Sequence, residues 1–144
     1  MIGKVKLNLI EPQMEIYDQA APYNLTIGAQ GSGKSFNIGV MSYFFIWLCP
    51  KMIGLIVANT YDQLSRATLK ATFDTWRDYF GLTEYDAKSN PGGHYVFGKQ
   101  PPAHFVPHGH TFVSNNNNIY LFNCAVIFTA SLDNYKAIEG IEVG

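Results

Sequence analysis

The sequence predicts an α/β fold, a mostly parallel sheet flanked by helices with a β-hairpin inserted. Three observations predict it. A glycine-rich turn, Gly28-Ala29-Gln30-Gly31-Ser32-Gly33-Lys34-Ser35, lies between a short β-rich run and a proline-free helical run. The segment Met52-Ile53-Gly54-Leu55-Ile56-Val57-Ala58 has the unbroken hydrophobicity of a strand in a central parallel position. Leu69, Phe73, Trp76 and Phe80 recur at spacings of four, three and four, which is one face of an α-helix.

A chain of 144 residues is one domain at most, and 47% hydrophobic residues with 15% aromatics suffice for a packed core. The formal net charge is −1, from 10 basic and 11 acidic residues, so no overall basic field holds a polyanion. Cys49 and Cys124 are too few for a disulfide framework and read as free thiols, Cys124 in the core. The N-terminus leads into no long apolar block, so no signal peptide is expected. The stretch from Ile38 to Ala58 has the length and apolarity of a membrane span, but Pro50 and Lys51 interrupt it. A helix ending at Leu48 and a strand beginning near Met52 explain it, and no membrane association is expected.

The turn spells G-x-x-x-x-G-K-S, the phosphate-binding loop. Its glycines permit tight backbone curvature and leave room for oxygen atoms where a Cβ would clash. Such a turn presents a concave set of N–H groups, and the following helix adds unpaired amides and the positive end of its dipole. Lys34 then reaches the β- and γ-phosphates, and the Ser35 hydroxyl ligates Mg²⁺. The motif requires a strand before it and a helix after it. Tyr23-Asn24-Leu25-Thr26-Ile27 supplies the first and Ser35 to Leu48 the second.

Residues 1–22 precede the loop. Pro12 opens a short helix in which the amide of Gln13 is suited to an adenine edge or, equally, to solvent. Residues 23–80 read as strand, loop, helix, strand and helix. Phe36 to Leu48 is apolar almost all round, as for a helix buried beneath a sheet. Asn59-Thr60 stand at the carboxyl end of the second strand, where α/β sheets bind ligands and where helices are capped. The amphipathic helix Tyr61 to Phe80 puts Arg66, Lys70, Asp74, Arg77 and Asp78 on its wet face, and Gly81 ends it.

Residues 81–123 read as a β-rich insertion punctuated by Pro91-Gly92-Gly93, Pro101-Pro102 and Pro107, with His94-Tyr95-Val96-Phe97 as one strand. Asn115-Asn116-Asn117-Asn118 reads as a hairpin turn between Thr111-Phe112-Val113 and Ile119-Tyr120-Leu121-Phe122. His104, His108 and His110 cluster without a fourth ligand at a zinc spacing. In residues 124–144, a strand from Cys124 to Thr129 runs on to Asp133. An apolar strand ending in aspartate is the form of a Walker B segment, making Asp133 a candidate Mg²⁺ ligand as well as a candidate cap. Asn134 follows where a water-activating glutamate would stand.

These features, taken in order, resemble the ATPase half of the large terminase subunit, the motor that packages DNA into tailed-phage capsids. Pro12-Gln13 resembles its adenine-side segment and Gly28 to Ser35 its phosphate loop. Ala58-Asn59-Thr60 with Gln63-Leu64 and Arg66 resembles its next strand and helix. Ile127 to Asp133 and Lys136-Ala137-Ile138-Glu139-Gly140 resemble the approach to its Walker B strand. The resemblance implies a RecA-like P-loop NTPase core using ATP and Mg²⁺. Gly28, Ala29, Gln30, Gly31, Ser32, Gly33, Lys34, Ser35 and Gln13 would touch nucleotide. The implied partners are double-stranded DNA, a portal protein, a small terminase subunit and further copies in a ring, in the cytoplasm of an infected bacterium.

Two departures matter. Gln30 stands where the family often has a loop arginine, and glutamine supplies no charge to a transferring phosphate. No apolar strand ending in an Asp-Glu pair occurs in the 144 residues, so the chain reads as an amino-terminal portion with half an ATP site. A helicase-like or kinase P-loop enzyme, and a non-catalytic nucleotide-binding assembly module, are the alternatives.

Overall fold

The computed structural model describes residues 6–9, 11, 13–15, 33–109 and 117–137. The expected strand 23–27, loop residues 28–32, the expected strand 111–113 and residues 138–144 lie outside them.

Helix α1, Lys34–Leu48, begins directly after Gly33, whose φ of 79° and ψ of 11° are left-handed. It ends where the Cys49 N–H donates to the Phe45 carbonyl at 2.9 Å. A turn through Lys51, at φ 65°, leads into strand β1, Ile53–Ala58. Thr60 then caps the next helix, its hydroxyl accepting from the Gln63 N–H at 3.2 Å. The expected single helix is continuous but built in three parts. A turn α2, Tyr61–Gln63, passes into a π-helical segment, Leu64–Leu69, and then into α3, Lys70–Phe80. Leu64 and Leu69 are five residues apart and both buried, which the wider π turn allows and a regular α-helix would not. Leu69, Phe73, Trp76 and Phe80 face the core as expected. Gly81, left-handed at φ 68°, ends α3, and the Leu82 N–H donates to the Trp76 carbonyl at 3.0 Å.

The fold is α/β, but the described sheet is mixed rather than mostly parallel. Strands β1, β2 (Tyr95–Phe97), β3 (Asn118–Leu121) and β4 (Val126–Ser131) lie in the order β1-β4-β3-β2. β1 and β4 are parallel, with Ile53 opposite Val126 and Ala58 opposite Ser131. β2–β3 and β3–β4 are antiparallel. The short connection between β3 and β4, residues 122–125, permits only an antiparallel pair, and β2 and β3 together add antiparallel strands on the side of β4 away from β1. β1 is therefore the end strand of the described sheet, not a central one, and Val57 is exposed.

Two further expectations are corrected. Asn118 is not a turn residue but the first residue of β3, buried and opposite Phe128. The reversal into β4 falls at residues 122–125 instead. There Cys124 adopts φ 63° and the Leu121 N–H donates to the Ala125 carbonyl at 3.1 Å. Cys124 thus lies half-buried in a turn, outside the strand and the core. Asn123 ties this turn down, its Oδ1 accepting from the Ala125 N–H and its Nδ2 donating to the Ile46 carbonyl of α1. α1 also differs from expectation. Asn37, Gly39, Val40, Tyr43 and Ile46 are buried, whereas Ile38, Met41, Phe44, Trp47 and Leu48 are exposed, Leu48 at 78%. The helix is covered on one face, not all round. Among the described residues no helix is long and apolar enough to cross a membrane.

The core forms where α1 and α3 cross above the sheet. Trp76 is fully buried, and its indole N–H is shared between the Gly39 carbonyl at 3.0 Å and the Ser42 hydroxyl at 3.1 Å. Tyr43 stacks on Phe80 with centroids 3.6 Å apart, and Phe73 stacks on Tyr95 at 5.0 Å. Gly39 makes the crossing possible, because a Cβ there would lie 2.7 Å from the Thr75 Cβ. Gly39→Ala should accordingly cost about 1–3 kcal/mol, read as a lower urea midpoint. Gly92→Ala, where a Cβ would meet nothing within 4 Å, should change stability by less than about 0.5 kcal/mol.

Candidate functional site

The first candidate site is the head of α1. Of the eight motif residues, Gly33, Lys34 and Ser35 are described. Gly33 turns the backbone in a conformation that L side chains rarely adopt, and its carbonyl accepts the first helical hydrogen bond from the Asn37 N–H at 3.0 Å. Lys34 and Ser35 are the first two helical residues, both half-buried. No acidic residue stands in the first turn of this 15-residue helix. The positive end of its dipole is worth roughly half a positive charge, and Lys34 is the first residue of that turn. The local electrostatics suit an anion, although the chain as a whole carries no basic excess.

Gln13 joins this site from 20 residues upstream. Residues 13–15 are helical, and the Gln13 side chain is 9% exposed. Its Nε2 donates to the Gly33 carbonyl at 3.2 Å. The same Nε2 fills the space that a side chain at residue 33 would need, since a Cβ there would lie 2.6 Å away. Gly33 is thus required twice over, by its left-handed backbone and by this close approach.

The second candidate site lies at the carboxyl ends of the parallel strands. Leaving β4, the Asp133 N–H donates to the Asn59 carbonyl at 3.2 Å, and the Asp133 Oδ2 accepts from the Tyr61 N–H at 3.3 Å. Thr60 and Asp133 therefore cap the same helix start. The Ser131 hydroxyl, followed by the Tyr61 amide, holds the Asp133 carboxyl below its ordinary value of 3.8. The carboxylate does cap a helix, but that helix is the one after β1, 72 residues earlier in the chain, rather than the turn that follows it. To ligate Mg²⁺ it would have to give up part of this hydrogen bonding. The structure brings Gln13 to Gly33 and Asp133 to the start of α2.

The other polar candidates have structural surroundings. Arg66 is exposed and paired with Asp62 at 2.5 Å, a solvated i,i+4 pair of small energetic weight. The His104 ring packs edge-on against Phe105 and Tyr85, with centroids 4.7 and 6.3 Å away. His108 is exposed, and His110 lies outside the described residues. Among the described residues no three His, Cys, Asp or Glu side chains are grouped to hold a metal ion. Two contacts escape sequence reasoning altogether, Gln13 with Gly33 and Asp133 with Tyr61, because neither pair is linked by a short spacing.

No protein-family model, no curated protein and no solved structure matches this chain.

The Asp133 cap gives a pH dependence with a definite sign. A carboxyl held low in the folded state stabilises the fold above its unfolded pKa, and that contribution is lost as pH falls through the folded value. The urea midpoint of the wild-type chain should therefore drop on acidification below about pH 4. Asp133→Asn should lower the midpoint at neutral pH and flatten this acid limb, as measured by denaturation across pH 2–7.

Proposed function

We propose that this chain binds Mg·ATP through residues Gly28 to Ser35, as the nucleotide-binding portion of a DNA-packaging ATPase of the terminase type. One observation carries the nucleotide reading. A left-handed glycine at the end of a G-x-x-x-x-G-K-S sequence is followed at once by a long helix headed by lysine, with no acid in its first turn. In this reading the loop amides and the first turn of α1 hold the phosphates. Lys34 neutralises the β- and γ-phosphate oxygens, and the Ser35 hydroxyl takes the magnesium ion. The assignment to a packaging motor acting on double-stranded DNA rests on the order of motifs along the chain, from Gln13 through the loop to the segment around Asp133.

Hydrolysis needs a carboxylate that orients water, and the chain offers no Asp-Glu pair at the end of an apolar strand. Asp133, the nearest equivalent, is engaged as a helix cap. The 144-residue chain is therefore expected to bind nucleotide without turning it over. Calorimetric titration with Mg·ATP should show saturable binding by the wild-type chain. Lys34→Ala should weaken it by about ten- to a hundredfold, the scale of a charge-assisted contact, while circular dichroism shows the fold intact. Absence of binding by the wild-type chain would defeat the proposal. Lys34-dependent phosphate release would instead give Asp133 a catalytic role.

A further inference from the structure

We infer that Gln13 is a positioning residue for the peptide linking Gly33 to Lys34; the inference rests on the nucleotide reading above. Here the Gln13 Nε2 is directed at the Gly33 carbonyl, 3.2 Å away, next to the lysine that grips the phosphates. In a bound nucleotide a ribose separates the base from those phosphates. The Gln13 side chain is nine-tenths buried, and its amide occupies the volume vacated by the absent side chain of residue 33.

The Gly33 carbonyl thereby receives two donors, the Asn37 N–H from within α1 and the Gln13 amide from outside it. Both lone pairs of that oxygen are occupied, which fixes the orientation of the peptide linking Gly33 to Lys34. The N–H of that peptide belongs to Lys34, a residue that faces phosphate in the nucleotide reading. Gln13 thus acts on the ligand through the backbone. The ligand class whose binding depends on it is polyphosphate of any kind, whatever base is attached.

The test titrates wild-type chain, Gln13→Met and Gln13→Glu with Mg·ATP, Mg·GTP and magnesium tripolyphosphate. Gln13→Met keeps the length of the side chain and removes the donor. It should weaken all three ligands by one common factor of about five, the scale of a single hydrogen bond. Gln13→Glu places an acceptor against the Gly33 carbonyl and should weaken all three further at neutral pH. Its deficit relative to wild type at the same pH should shrink toward pH 5, as the protonated carboxyl regains a donor. Should Gln13→Met fail to fold, the pH series on Gln13→Glu decides. Loss confined to ATP would make Gln13 a base reader and overturn the inference, as would unchanged binding of tripolyphosphate. If the wild-type chain binds none of the three, the nucleotide reading itself has failed.

Discussion

The close crossing of α1 over α3 at Gly39 is the constraint on which the rest of the structure depends. The absence of a side chain there lets Thr75 approach the helix backbone, and Trp76 then donates its indole proton to the Gly39 carbonyl and the Ser42 hydroxyl. A buried indole N–H without a partner would cost on the order of 1–3 kcal/mol, so close approach and hydrogen bond support one another. Around this point Tyr43 stacks on Phe80, Phe73 stacks on Tyr95, and Trp76 meets Tyr95 edge-on. These ring contacts join both helices to β2, and α1 carries Lys34 and Ser35 at its head on the same element. Precision at Lys34 is thus inherited from packing at Gly39, five residues further along the helix.

Much of this organisation is legible in the sequence, and the exceptions have physical causes. The bounds of α1 and β1 and the end of α3 at Gly81 follow from periodicity, proline and glycine, all local signals. The exposed face of α1 is not legible, because hydropathy reports that residues are apolar and not whether anything covers them. The π-helical segment is hidden because Leu64 and Leu69 fall on different faces of a regular helix. The β3–β4 turn is hidden because a cysteine adopts a left-handed backbone there, while the asparagine run nearby has every turn propensity and yet places Asn118 in a strand. At the candidate site, Gly33 precedes α1, and Lys34 and Ser35 begin it. Their supporting contacts do not appear in any local pattern, because chain topology makes them.

The two ends of the candidate machinery differ in kind. At the head of α1, donors converge on the Gly33 carbonyl and hold a backbone in place. At the ends of β1 and β4, an exposed carboxylate accepts from Ser131 and Tyr61 and clasps the strand ends to the start of α2. The first arrangement places a lysine in the first turn of a helix that has no acidic residue there. The second uses its negative charge to complement the helix dipole, which lessens what remains to attract a cation.

The parallel pairing of β1 with β4 has a kinetic meaning. Its partners lie roughly seventy residues apart in the chain, whereas β3 and β4 meet across a single tight turn. Closing the longer loop carries an entropic penalty that must be met before any of its contacts form, so the antiparallel strands can assemble first and the ribbon of β1 must dock onto them afterwards. Until it does, the unpaired N–H and C=O groups on that edge of β4 stand open as a template for neighbouring chains. Rapid dilution during refolding, and synthesis at low temperature, should favour monomer over aggregate for this reason.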